Sequence, residues 1–548
     1  MQDKKLVSLW AVFVFAAAFI VYSGALSNDF LSVWDDPNYI TENPDITGLS
    51  LRNIKAAFTN SYVGNYAPFH IISYALDYAL FGLNPTAFHA VNNILHGINA
   101  VMVMLLILRI SGNLRLSVLS ALVFALHPVQ VESVAWVTER KNVISTTFAL
   151  GSFLTYIHFL MKKGWVPYAG SLLLFAAALL TKSSVVVIPV LLCLYIFLYD
   201  SRSLSRFAPT IPFFILSAAA AVAAVITQEA ADISYIGGSP YATALTMVTV
   251  VVKYLRLFFF PVHLSPNYNP AVYQQLSIPV VLSMIILVAI IAVLWVKRDN
   301  REVLFWAGWA VIPLLPVLQI IPMVTIMNDR YLYLPIIGLA PLTVIIIGRV
   351  ARNKIWLVIS LLLLMSYQTY TRTKLWTAGP DLWLDAIKHY PDNGSLYSSL
   401  GSLYQKLGQL DDSERAYEKA LDLLPDDLEI HQQYGVLLLQ MGKHKEALIE
   451  LQRVYDAGVR YELLISNLGY AYMDVGDTLT GMKYHKAVLS SNPRHANSIY
   501  GMAMGFEKLG DMNRAAVYWQ QFLDVTPSDN PWRDEAKKRL EMAIMKRR

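Results

Sequence analysis

Nothing constrains this chain more than its apolar runs. Residues 1–371 contain eleven of them, at 6–26, 88–108, 116–127, 143–161, 166–181, 183–199, 208–227, 277–296, 303–321, 331–348 and 355–371. A helix needs about 20 apolar residues to cross the hydrocarbon core of a bilayer. Most of these runs approach that length; 116–127 is short, and 166–181 and 183–199 are separated only by Lys182. Only 37 of residues 1–371 are charged, whereas residues 372–548 carry 46 charged residues in 177. The second proportion is that of an ordinary soluble domain, about 25%. A wholly soluble enzyme is excluded, and so is a chain with a single anchor.

The loop charges set the orientation. With eleven spans and a cytoplasmic N-terminus, 14 of the 22 basic residues of 1–371 fall in inside loops, as the positive-inside bias requires. Counting the run 243–260, which carries Lys253 and Arg256, as a twelfth span leaves 9 inside and 13 outside. The expectation is therefore an amphipathic or re-entrant helix at 243–260 on the outer side, and an extracytoplasmic C-terminal region. Residues 1–26 resemble a signal peptide, but the 21-residue apolar stretch from Leu6 to Leu26 reads as a retained helix. Cys193, the only cysteine, lies inside an apolar run, so there is no disulfide framework and no thiol metal site. The basic residues follow membrane topology and not a nucleic-acid-binding pattern.

From Pro391 onward the sequence repeats every 34 residues, with segments opening at Pro391, Pro425, Val459, Pro493 and Pro527. Gly401, Gly435, Gly469 and Ala503 share a column where only a small side chain fits between two helices. Gly408, Gly442, Gly476 and Gly510 mark a turn. Tyr404, Leu438, Tyr472 and Phe506 fill a large apolar column, and Ser413, Ala447, Gly481 and Ala515 a small one. This pattern resembles the tetratricopeptide repeat: four helix–turn–helix units and a capping helix near 531–546. Such arrays bind extended protein segments, though they also serve as spacers or dimerisation modules.

The outer loops carry the candidate chemistry. The first, 27–87, is the longest loop of this half and holds Trp34-Asp35-Asp36-Pro37 just beyond the first span. Adjacent carboxylates near a bilayer call for a cationic, metal or hydroxyl partner; the same residues are also good turn chemistry. Tyr66 and His70 follow in that loop. His89, Asn92, Asn93 and His96 then share one face of the second span, a packing or cavity face in preference to a metal site. His127, Glu132, His263, Asp329 and Tyr331 are further acceptor-site or cavity candidates. Arg140, Lys141, Lys182, Lys253, Arg256 and Arg330 all fall on the outer side against the usual bias, which points to an anion at the bilayer surface, such as a lipid phosphate.

Local strings sharpen this reading: Trp34-Asp35-Asp36, Tyr66-Ala67-Pro68, Leu83-Asn84-Pro85 with Phe88-His89 and Leu95-His96, His127-Pro128 with Glu132, Leu264-Ser265-Pro266, and Asp329-Arg330-Tyr331-Leu332-Tyr333-Leu334-Pro335. With the spans and the repeats, they resemble the transmembrane and tetratricopeptide-repeat O-mannosyltransferases and their prokaryotic relatives, integral-membrane glycosyltransferases of the GT-C class. Ala67 departs from the pattern, since members of that family often carry Arg there. The resemblance implies an all-α polytopic bundle at 1–371, a linker at 372–390 and the repeat domain at 391–548. It implies sugar transfer from a polyprenyl-phosphate donor to a protein hydroxyl on the outer side, without cofactor or metal. Asp35 and Asp36 would be catalytic, with Asp35 the favoured base, and Arg256, Arg140, Lys182, Arg330 and Lys253 would hold the donor phosphate. The acceptor protein would lie in the repeat groove. The setting would be a multi-pass protein of a bacterial inner membrane, with the repeats extracytoplasmic. A ligase or polymerase of lipid-linked oligosaccharide, or a non-enzymatic membrane-anchored repeat scaffold, fits the same composition and stays open.

Overall fold

The structure, a computed structural model, describes residues 4–200, 203–228, 234–350, 355–528 and 530–546. Arg202, Arg352 and Lys354, which enter the loop assignment, lie outside the described residues. Among those described, the regular structure is helical, and the one β-bridge pairs Tyr62 with Asn65. The chain divides into two compact units, Met1–His389 and Tyr390–Arg548.

Among the described residues of the first unit, seven helices are long and apolar enough to cross a membrane: Lys4–Ser27, Pro85–Ser111, Val137–Lys162, Ser183–Asp200, Leu204–Thr227, Pro240–Phe259 and Ile278–Val296. A bent pair, Leu114–Leu126 with Pro128–Ala135, makes an eighth if taken as one broken span, with a 52° bend at His127-Pro128. This is a multi-pass membrane protein. Ile278–Val296 illustrates this: Ile285 and Val288 are 58% and 63% exposed on an isolated chain, an apolar surface suited to lipid.

The remaining expected spans are shorter or broken. Run 166–181 is the helix Trp165–Leu179, and run 303–321 is Arg301–Val311 followed by a 3-10 segment at Ile312–Val317 containing Pro313 and Pro316. Proline removes an amide donor and collides with the preceding turn, so the α-helix stops there. Run 331–348 becomes a helix only from Ile336, after Pro335, and 355–371 is the helix Ile355–Thr373. Conversely, the run 243–260, expected to be amphipathic or re-entrant, is a continuous 20-residue helix, Pro240–Phe259, that meets the length and composition of a span.

The helix Pro85–Ser111 organises the bundle. Asn84 caps it by accepting from the Ala87 amide, Pro85 occupies its first turn, and Gly112 closes it in the left-handed region at φ 65°. Much of its polar face is spent on neighbours. Asn93 donates to the Tyr22 carbonyl (2.9 Å), Asn92 to Val134 (3.2 Å) and Asn99 to Val143 (2.9 Å), while His96 bridges the Tyr333 hydroxyl (2.8 Å) and the Ala125 carbonyl (3.0 Å). Of the packing or cavity role expected for this face, these contacts are packing.

Of the expected linker 372–390, residues 372–389 fold into the first unit; Trp376 and Trp383 are buried there, the latter on the helix Asp381–His389. The second unit is four helix pairs from Gly394 to Val525 and a final helix, Arg533–Met545. The sequence columns do what their residue types require. The turn glycines Gly408, Gly442, Gly476 and Gly510 have φ of 74°, 76°, 101° and 78°, where an L side chain is strained. A Cβ on Gly435 would come within 2.8 Å of Leu451, so the helices meet only because it is absent.

Candidate functional site

The two aspartates of the first loop have different surroundings. Asp36 is buried, and its carboxylate accepts from the Leu31 amide (2.9 Å), the Trp136 indole (2.8 Å) and the Thr138 hydroxyl. Burial raises its pKa to about 6, against the opposing pull of those three donors. With its oxygens so occupied, Asp36 fastens the first loop to the second. Asp35 keeps a 26% exposed side chain, and its charged neighbour is the Lys141 ammonium at 3.8 Å. Trp34, which precedes it, adopts φ 68° and sets its ring against Trp136 and Trp383, at centroid distances of 5.2 and 4.5 Å. A non-glycine residue held there is over-determined by its packing.

Lys141 belongs to a second group. Its ammonium lies 3.3 Å from Glu139, and Lys182 lies 3.2 Å from the same carboxylate and donates to the Asn142 side chain at 2.6 Å. Arg330 reaches Glu139 at 3.5 Å and clasps Glu132 through its guanidinium (2.5 Å) and its own amide (2.8 Å). Asn142 donates to Glu139 at 2.8 Å. Burial pushes the Lys182 pKa down to about 8, with Glu139 pulling against it. Lys141, Asn142, Lys182 and Arg330 line one cavity of about 670 Å³. Its remaining wall is mostly apolar, drawn from Ala176–Leu180, Val186, Leu216–Thr227 and Pro313–Met323, with Tyr66, Ala67 and Tyr331 also on it. A largely apolar cavity on whose wall three cations cluster around Glu139 suits an amphiphile with an anionic head.

The other candidates are distributed elsewhere. Arg140 does not line the cavity; it is fully buried, paired with Asp77 at 2.5 Å, donating to Asn92 (2.7 Å) and the Phe88 carbonyl (2.8 Å) and lying over the Tyr74 ring. Lys253 and Arg256, on the helix Pro240–Phe259, are not among the cavity residues, and Arg256 is exposed. His127 is bound to the Phe258 carbonyl (2.8 Å) and stacked on that ring. His70 is buried against the Tyr74 hydroxyl (2.8 Å), and burial lowers its pKa well below the usual histidine value. His263 stacks on His389 at 4.2 Å. Asp329 is buried, accepts from the Tyr268 hydroxyl (2.6 Å) and faces Arg372 at 3.5 Å; burial raises its pKa. Glu132 serves as the clasp of Arg330. Among the described residues, no group of three or more His, Cys, Asp or Glu is arranged to hold a metal.

Glu139 was not among the candidates, because an acid between Thr138 and Arg140 reads as an ordinary loop charge. Only the spatial meeting of Lys141, Lys182 and Arg330 around it sets it apart.

Human protein O-mannosyl-transferase TMTC3 is 23% identical over 478 residues, covering 76% of this chain and 52% of that protein. The Caenorhabditis elegans protein O-mannosyl-transferase F38B6.6 is 24% identical over 433 residues, 74% of this chain and 61% of its own. The chain is a homologue of these O-mannosyl-transferases. It spans about half the length of the curated relatives it matches. Mouse TMTC1 is 34% identical over a shorter stretch of 158 residues, 27% of this chain and 16% of that one. A tetratricopeptide repeat family model matches residues 392–457, within the periodic region. The crystal structure of MamA aligns with 29% of this chain and 86% of its own at 19% identity, with a TM-score of 0.25.

Proposed function

We propose that this protein is a membrane glycosyltransferase of the GT-C class that moves a sugar from a polyprenyl-phosphate donor to a hydroxyl of an acceptor protein. The prenyl chain lies along the apolar wall of the cavity, and Lys141, Lys182 and Arg330 receive the phosphate. Asp35 takes the proton of the acceptor hydroxyl as its oxygen bonds to the anomeric carbon. The bond between that carbon and the phosphate oxygen breaks, its electron pair stays on the phosphate, and the three cations meet the charge that develops there. Asp36 is the positioning residue of the pair. The donor set thus differs from the one the sequence suggests: Lys141 takes the place of Arg140, and Lys253 and Arg256 drop out.

The observation that carries this reading is the double placement of Lys141. It lines the cavity and lies 3.8 Å from Asp35, so base and leaving group adjoin. The homology to protein O-mannosyl-transferases favours a protein acceptor, and the repeat unit would hold it. With the helix Pro240–Phe259 kept on the outer side, loop charges favour an outer location for the repeats, and the compact loops favour a bacterial inner membrane. The test is transfer in membranes from a polyprenyl-phosphate sugar. Asp35→Asn should lose about 10²–10⁴-fold, the typical worth of a general base, at unchanged expression. Full activity in that variant overturns the assignment.

A further inference from the structure

Glu139 presents a problem that the transfer reaction leaves unanswered. Its carboxylate is buried and contacts Lys141, Lys182 and Arg330 at 3.3, 3.2 and 3.5 Å. These are the same three cations that line the head end of the cavity, whereas Glu139 itself does not line it. Asn142 fixes the carboxylate from a further side at 2.8 Å. A site built only to bind an anion as tightly as it can has no use for a fixed negative charge behind its donors.

The charges of substrate and product supply a use. A sugar–phosphate–prenyl diester carries one negative charge. The prenyl phosphate left after transfer is a monoester, whose second pKa of about 6 gives it close to two at neutral pH. Without Glu139, Lys182 would face no carboxylate, and Lys141 and Arg330 would keep only Asp35 at 3.8 Å and Glu132 at 2.5 Å; such a site would hold the product more tightly than the substrate and stall the next turnover. Repulsion from a fixed carboxylate scales with ligand charge, so it penalises the dianion about twice as much as the monoanion. In the empty site, the same carboxylate neutralises cations that would otherwise repel one another at low exposure.

We infer that Glu139 is a built-in counter-ion that matches the head site to a singly charged lipid phosphodiester and speeds release of the doubly charged product. This inference rests on the donor-site reading above. It makes Glu139 a positioning and specificity residue, since it acts through the three cations.

The test uses the full chain in phosphatidylcholine nanodiscs, with farnesyl phosphate as the dianion and its methyl ester as the monoanion. Glu139→Gln should bind farnesyl phosphate about tenfold more tightly and the methyl ester about threefold. In transfer assays it should show a lower KM and a lower kcat. Unchanged or weaker binding of both ligands overturns the inference, because a merely structural role loses affinity for both alike. Should Glu139→Gln fail to fold, Glu139→Asp decides: its shortened carboxylate withdraws from the cations, and farnesyl phosphate should again bind more tightly, by a smaller factor; no gain overturns the inference. If wild-type protein binds neither ligand, or binds both unaltered after Lys182→Gln, the donor-site reading itself falls.

Discussion

The two units use charge in opposite ways. In the repeats, charged pairs lie in water: Arg514–Asp511 has side chains 65% and 29% exposed, and Lys537–Asp534 has 54% and 86%. The core beneath them is apolar, with Leu451, Leu464 and Leu468 fully buried. In the membrane unit the pairs are themselves the interior. Arg140 and Asp77 are 0% and 4% exposed at the side chain, and Glu132 and Glu139 are 0% and 2%. Exposed pairs contribute about 0–1 kcal/mol, but breaking a buried pair by removing one partner costs about 3–5 kcal/mol. Charge keeps the repeats soluble; in the membrane unit it fixes geometry and builds the site.

That contrast is sharpest at Arg140. Arg140→Met should destabilise the membrane unit by about 3–5 kcal/mol, because Asp77 is left buried and unpaired. The double variant Arg140→Met/Asp77→Leu should recover most of this loss, as read by thermal inactivation in detergent. A harmless single substitution would break the comparison.

The repeats also bury titratable groups, His431 beside Glu450 among them, and His485 yields the next largest effect. His485 occupies the core column that Tyr417, Leu451 and Trp519 fill in the other units. Burial lowers its pKa to about 3, with His495 adding to the effect. The unfolded chain takes up a proton there that the folded one refuses, so stability is complete above the unfolded value of about 6.5 and declines as pH falls below it. About 2 kcal/mol should be lost between pH 7 and pH 5. Hydrogen exchange across 478–508 in the full chain measures it, and His485→Leu should flatten the dependence.

A smaller effect is expected at the cavity. With a pKa of about 8, Lys182 is mostly protonated at pH 7 and mostly neutral at pH 9. Affinity for farnesyl phosphate should fall about tenfold over that interval as one cation is lost. Lys182→Arg should abolish the fall. At the far end of the scale, Arg415→Ala removes an exposed pair with Asp412, 69% and 45% exposed, and should change repeat stability by less than about 1 kcal/mol.

The same division explains what the sequence reveals. The repeats are legible because a 34-residue period states each packing requirement several times over. The polar face of Pro85–Ser111 is legible because helical spacing brings His89, Asn92, Asn93 and His96 together locally. The site is half legible. The acidic pair and Lys182 stand out by type and place, but the pairing of Asp36 with Trp136 spans 100 residues and that of Arg330 with Glu132 spans 198, and no local pattern encodes either. Arg140 and Lys141 are adjacent cations at the start of one helix, about 100° apart around its axis. One turns to Asp77 and the other to the cavity, and helix phase relative to the bundle cannot be read from a single sequence. The broken helix at 312–317 is a milder case, since Pro313 and Pro316 are visible but their apolar surroundings mask the break.

The most direct test of the central claim is a structure of the full chain with a bound prenyl phosphate. The phosphorus should lie among Lys141, Lys182 and Arg330, with the hydrocarbon chain along Leu216–Thr227 and Asp35 opening beside the head. Density for the phosphate against Lys253 and Arg256 instead, with the cavity empty, would contradict it.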